Sequence, residues 1–114
     1  DEHIKNIDKN IIMLFNELRD YILSISESIQ ETPKKFYIAY RVSKNFLCLE
    51  TRKNKLILYL KIDPKKIQIP ENGRDVTEIG HYGTGDFELT ISNSEEYERA
   101  KEYIVQSYEN IGGG

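Results

Sequence analysis

The sequence predicts an α+β domain: a four-stranded antiparallel meander-type sheet carrying an N-terminal and a C-terminal helix on one face, in the order α-β-β-β-loop-β-α. Three observations predict it. Apolar residues recur at helical spacing near both ends of the chain. Between them, apolar and polar residues alternate in short runs, the pattern of half-buried strands. The first three runs are joined by Ser43-Lys44-Asn45 and Arg52-Lys53-Asn54, turns too short for anything but antiparallel neighbours.

Each element follows from its residues. Ile7, Ile11, Leu14, Leu18, Ile22, Ile25 and Ile29 step by three and four positions and draw one stripe down a helix. That helix is expected to fray near Glu31, because Pro33 drives the residue before it out of the α region. The same stripe would suit a coiled-coil seam, but burial against a sheet is the commoner outcome. Residues 36–42 then alternate with Phe36, Ile38, Tyr40 and Val42 on one face. Residues 46–51 follow with Leu47 and Leu49 inward, and 55–62 with Leu56, Leu58, Leu60 and Ile62 inward. The stretch 63–85 reads as a long loop, broken by Pro64 and Pro70 and turned at Asn72-Gly73. Residues 86–91 form the fourth strand, with Phe87, Leu89 and Ile91 inward. Ser92-Asn93-Ser94-Glu95 has the spacing of a capping box. The closing helix presents Tyr97, Ala100, Ile104, Ser107 and Ile111 along one side. Residues 1–111 make one domain and 112–114 a flexible tail. Two helices on one face leave the other face of the sheet open.

Composition bounds the function classes. The 114 residues are 39% hydrophobic and 31% charged, with a mean hydropathy of -0.58, values of a compact soluble domain. Eight Tyr and four Phe exclude a disordered tail. No run nears the ~18 apolar residues of a membrane span, so no membrane partner is expected. The one cysteine, Cys48, cannot close an internal disulfide, which fits a reducing, cytoplasmic setting. No secretory signal opens the chain, and a start at Asp1 without Met reads as the C-terminal fragment of a longer protein.

The net charge of -3 hides an asymmetry. From Pro33 to Lys66 there are ten basic residues against Glu50 and Asp63, a local excess of +8; the rest of the chain holds six basic and seventeen acidic residues, an excess of -11. A basic centre between acidic flanks governs encounters with polyanions. Strand alternation puts Tyr37, Ala39 and Arg41 on the open face, and from the third strand Lys55, Ile57, Tyr59 and Lys61. Lys34 and Lys35 precede the first strand; Arg52 and Lys53 sit at the adjoining turn. Rings that stack on bases beside cations that neutralise phosphates suit nucleic acid. The competing reading is a solvated sheet whose lysines discourage edge pairing.

The second constellation is Gly80-His81-Tyr82-Gly83-Thr84-Gly85-Asp86. Its glycines permit an anion-binding nest. No Lys-Ser or Lys-Thr follows, as a Walker loop requires, and the segment leads into a strand instead of opening a helix. A shaped turn is therefore the stronger reading. Arg74, Gly80, His81, Tyr82, Gly83 and Gly85 are the candidate ligand contacts. Cys48, His81 and Asp86 contain the residue types of a thiol triad, but a mid-strand cysteine in an apolar setting reads as a small hydrophobe. No catalytic residue is assigned. His3 and His81 lie far apart and no metal-ligand spacing occurs, so no metal or other cofactor is expected.

Pro33-Lys34-Lys35-Phe36-Tyr37-Ile38-Ala39-Tyr40 with Asn45-Phe46-Leu47-Cys48-Leu49, then Arg74-Asp75-Val76 with Ile79-Gly80-His81-Tyr82-Gly83-Thr84-Gly85-Asp86, and finally Gln106-Ser107-Tyr108-Glu109, resemble the signatures of a bacterial domain-of-unknown-function family. The family closes proteins catalogued as "predicted transport proteins", often behind a restriction-endonuclease-like domain. It also closes proteins similar to GmrSD-type modification-dependent restriction enzymes. The resemblance implies a C-terminal accessory module of DNA-processing or defence proteins, and carries over no catalytic residue. The expectation is thus a non-catalytic module that binds nucleic acid, DNA in preference to RNA, and works with the N-terminal domains of its own parent chain. The alternatives are a protein–protein or self-association module, such as a homodimer, and a nucleotide or modified-base sensor.

Overall fold

The sheet has six antiparallel strands, not four, in the order β1-β2-β3-β4-β6-β5. They are β1 (Gln30–Pro33), β2 (Ile38–Arg41), β3 (Asn45–Arg52), β4 (Lys55–Leu60), β5 (Gly73–Asp75) and β6 (Phe87–Ile91). The helices α1 (Lys9–Ser24) and α2 (Ser94–Asn110) share one face of it. This computed structural model describes residues 2–112, so Gly113 and Gly114 of the expected tail lie outside the described residues.

Both additional strands are edges, and each is hidden from the sequence pattern for a physical reason. The apolar stripe of the first helix extends to Ile29, but α1 stops at Ser24. There the Ser24 hydroxyl donates to the Tyr21 carbonyl at 2.6 Å, and Ser26 Oγ accepts from the Ser28 N–H at 3.1 Å. Such local bonds compete with helix propagation. Ile29 still reaches the core, and Gln30–Pro33 pairs with β2. A proline is tolerated in β1 because an edge strand has one side that needs no ladder donor. At the other edge, β5 is three residues long, Gly-Arg-Asp, and offers no alternation to read.

The main core lies where expected. Leu14, Leu18 and Ile22 of α1 and Ala100 and Ile104 of α2 bury against Leu47, Leu49, Leu58, Leu60, Phe87 and Leu89. Ser107 belongs to the same stripe: its hydroxyl donates to the Phe46 carbonyl and accepts from the Lys61 N–H at 2.8 Å, satisfying two strand-end groups from inside the helix. The cap of α2 is one residue later than the sequence suggests. Asn93 Oδ1 accepts from the Glu96 N–H at 2.8 Å, and the Glu96 carboxylate accepts from the Ser92 N–H at 2.7 Å. Phe36 is not inward; it precedes β2 and is half exposed.

A polar tie fastens β1 to α1. The Arg19 guanidinium donates twice to Glu31, at 2.6 and 2.9 Å, and the Tyr40 hydroxyl donates to Glu31 at 2.7 Å. Hydrogen bonding from Arg19 holds the Glu31 carboxyl below its ordinary 4.5, while burial opposes this. Burial and the bond to Glu31 push the Tyr40 phenol up.

The packing and the polar tie are each open to measurement. Leu18 is fully buried, so Leu18→Ala is expected to lower unfolding free energy by about 2–5 kcal/mol in urea titrations. Met13→Ala, at a side chain 66% exposed on the same helix, changes it by no more than about 0.5 kcal/mol. Because the folded-state pKa of Glu31 is depressed, its contribution is complete above about pH 4.5 and is lost as the pH falls through the folded value. The stability difference between pH 7 and acid is therefore expected to be smaller in Glu31→Gln than in the parent protein.

Candidate functional site

The face of the sheet away from the helices is not open. Residues 76–86 cross it, and a second, small core forms beneath them from Cys48, Ile57, Tyr59 and Val76, with Tyr37 packed alongside. Two glycines make the crossing possible. Gly83 has φ +81°, and a Cβ placed there would lie 2.6 Å from Cys48 Cβ. Gly85 has φ +123°, and its Cβ would lie 2.6 Å from the Leu60 carbonyl oxygen. Any side chain would lift the segment off the strands.

His81 anchors the middle of the crossing. Its ring stacks on Tyr59, with centroids 4.0 Å apart and planes 6° from parallel. Its two nitrogens lie 3.0 Å from the Tyr82 carbonyl oxygen and 2.9 Å from that of Gly85. A neutral imidazole donates to one such oxygen, an imidazolium to both. Both nitrogens therefore face backbone carbonyls and not the Cys48 thiol, as a thiol triad would need. Burial pushes the Cys48 thiol up, against the partial relief of the Thr84 N–H that points to Sγ at 3.4 Å. A buried, protonated thiol is a poor nucleophile.

Around Tyr59 the face is acidic at its centre. Glu88 lies opposite Tyr59 across β4 and β6, and Glu50 is two positions along β3 from Cys48, on the same side of the strand. Each is nearly buried and paired, Glu88 with Arg74 through two bonds of 3.1 and 3.0 Å, and Glu50 with Arg52 at 2.6 Å. Burial, then the two carboxylates, push the Tyr59 phenol up. Both glutamates follow from the alternation that placed Tyr59 outward, continued along 46–51 and 86–91.

The basic residues expected to share the face are divided between the two ends of the sheet. In the register Ile38↔Leu49↔Leu58, the β1–β2 turn and the β3–β4 turn lie side by side at one end. Lys34, Lys35, Arg52, Lys53 and Lys55 are brought together there. The N-terminal 3-10 turn (Glu2–Ile4) staples the two hairpins: His3 Nε2 lies 2.8 Å from the Lys34 carbonyl, and the His3 carbonyl accepts from the Thr51 hydroxyl. Phe36, in the first of these turns, stacks on Tyr82 at the tip of the crossing segment. Arg41 and Lys61 stand at the opposite end. A cleft of about 550 Å³ opens there, lined among others by Lys44, Lys61, Lys65, Asp63, Asp86 and Asn110. Tyr59 is buried beneath His81, and Arg74 is spent on Glu88. Gly80 lies in open surroundings.

A family profile matches residues 1–111, which include both the crossing segment and the strands beneath it. The chain belongs to the family described as Domain of unknown function (DUF5655). Among curated proteins, this DUF5655 domain is 24% identical over 107 residues to an "Uncharacterized protein" of Haemophilus influenzae. The similarity covers 93% of the chain but 35% of that relative, so the domain spans about a third of the relative's length. No solved structure matches significantly. No described helix is long and apolar enough to cross a membrane.

The fit of the crossing segment to the sheet is testable at its tightest point. Gly83→Ala combines an unfavourable backbone conformation with a steric conflict at Cys48. It is expected to speed modification of Cys48 by a thiol reagent at least about tenfold, the effect of ~1.4 kcal/mol lost from closure. Gly80→Ala, whose Cβ meets nothing within 4 Å, leaves the rate unchanged. An unaltered rate in Gly83→Ala would show that the segment does not shield the thiol.

Proposed function

We propose that this DUF5655 domain is a non-catalytic accessory module that binds nucleic acid through the paired hairpin turns. The observation that carries the reading is the gathering of Lys34, Lys35, Arg52, Lys53 and Lys55 at one end of the sheet. Among the described residues, none of the four lysines there forms an ion pair. The acidic residues of the same two hairpins are both neutralised, Glu50 by Arg52 and Glu31 by Arg19 on the helix side. Asp8 also stands at this end, its backbone N–H donating to the Lys53 carbonyl at 2.9 Å, but four unpaired lysines outnumber it, and their charge suits a row of phosphates. The opposite end is less suited, because Asp63 and Asp86 stand among the lysines of its cleft.

The wider setting comes from the resemblance of the signature segments to C-terminal modules of restriction-endonuclease-like and GmrSD-like proteins. That setting favours DNA as the polyanion. It also favours a role in which the module holds substrate for catalytic domains elsewhere in the parent chain. The small share of the Haemophilus relative that the domain covers is consistent with such an arrangement.

Binding to a labelled oligonucleotide, followed by anisotropy across a salt series, tests the proposal. Lys35→Gln with Lys55→Gln is expected to reduce the slope of log K against log salt by about 1–2, roughly 0.7–0.9 for each phosphate that is no longer neutralised. Lys65→Gln at the other end leaves the slope unchanged. Binding that is insensitive to salt, or to the hairpin substitutions, would overturn the reading.

A further inference from the structure

The hairpin end carries more than charge. Phe36 and Tyr82 stack with centroids 4.6 Å apart and planes 21° from parallel, yet they are 50% and 53% exposed. Two large rings packed on each other while half in water are not a core. Tyr82 sits on a segment whose neighbours, His81 and Gly83, are held against the sheet by stacking on Tyr59 and by contact with Cys48. Tyr82 is thus presented between two residues packed on the sheet, and Phe36 from a turn closed by the Lys34 N–H donating to the Tyr37 carbonyl at 2.7 Å. Lys35 Nζ lies 5.2 Å from the Phe36 ring centroid, and Lys34 precedes it in the same turn. Exposed rings with cations beside them match a nucleic acid whose bases are unpaired, because a base face becomes available for stacking only once it leaves the duplex. A duplex offers phosphates to the lysines and nothing to the rings.

We infer that the Phe36–Tyr82 pair is a stacking platform for an unpaired base, which makes single-stranded nucleic acid the ligand of the hairpin end. The inference rests on the nucleic-acid reading above. The lysines set the salt dependence, and the rings supply a preference for strands that carry bases.

The experiment compares labelled single strands of equal length and charge, one of thymidines and one abasic, with a duplex of the same sequence. The parent protein is expected to bind the thymidine strand at least about fivefold more tightly than the abasic strand, and more tightly than the duplex. Phe36→Ala and Tyr82→Ala are expected to abolish the preference for bases while leaving abasic binding and its salt slope unchanged. Phe36→Leu keeps an apolar contact with Tyr82 and guards against loss of local structure; it too should lose the preference, whereas Tyr82→Phe keeps it. Equal binding of the thymidine and abasic strands, or tighter binding of the duplex, would overturn the stacking platform and leave the electrostatic reading standing. No salt-dependent binding of any strand would overturn both. Absence of base preference combined with Phe36-dependent binding to phosphatidylserine vesicles would overturn the platform and reassign the patch to a membrane surface.

Discussion

A broad sheet with both of its helices on one side has a second side to keep from water, and here a single segment of irregular backbone does it. Residues 76–86 lie against Cys48, Ile57 and Tyr59, and the contact depends on the absence of side chains at Gly83 and Gly85. Backbone laid on a sheet must still satisfy its own polar groups. The imidazole of His81 meets two of the segment's carbonyls while stacking on Tyr59, so one side chain supplies both the apolar contact and the polar closure. The glycines that resemble a ligand cradle are thus explained first by close approach to the strands.

That covering decides what the rest of the face can do. It removes Tyr59 and Cys48 from contact with solvent and leaves Tyr82 at the tip, where it meets Phe36 from the β1–β2 turn. It also moves functional interest from the middle of the sheet to its ends. At the middle, Glu50 and Glu88 are each neutralised by an arginine on the same face, so Arg52 and Arg74 serve partly as structural counter-charges. At the hairpin end, Lys34, Lys35, Lys53 and Lys55 are in no ion pair among the described residues.

The two ends differ because of register, not composition. The hairpins joined at residues 34–37 and 53–54 end together because β2 and β3 pair Ile38 with Leu49. Lysines separated by some twenty positions become neighbours as a result. At the far end, the strands meet Asp86, just before β6, and the C-terminal turn of α2: Lys44, Lys61 and Lys65 share a cleft with Asp63 and Asp86, and the Asn110 side-chain amide donates to the Lys61 carbonyl at 2.8 Å.

The two helices, the three central strands and β6, and their inward residues apart from Phe36, were legible in the chain itself, because periodicity encodes which side of an element is buried, though the stripe runs past the end of α1 at Ser24. Leu47, Leu58, Phe87 and Ile104 are assigned to the core by spacing alone. The basic centre was equally plain as a count. Periodicity does not record pairing, so the edge strands Gln30–Pro33 and Gly73–Asp75, short and interrupted by proline and glycine, could be recognised only beside their partners. Nor does it record what a long loop lies on. The contact of His81 with Tyr59, the meeting of Phe36 with Tyr82, and the division of the cations between two ends are relations between distant residues. Only the tertiary structure decides them, since they depend on how strands align and on which backbone is thin enough to pass over them.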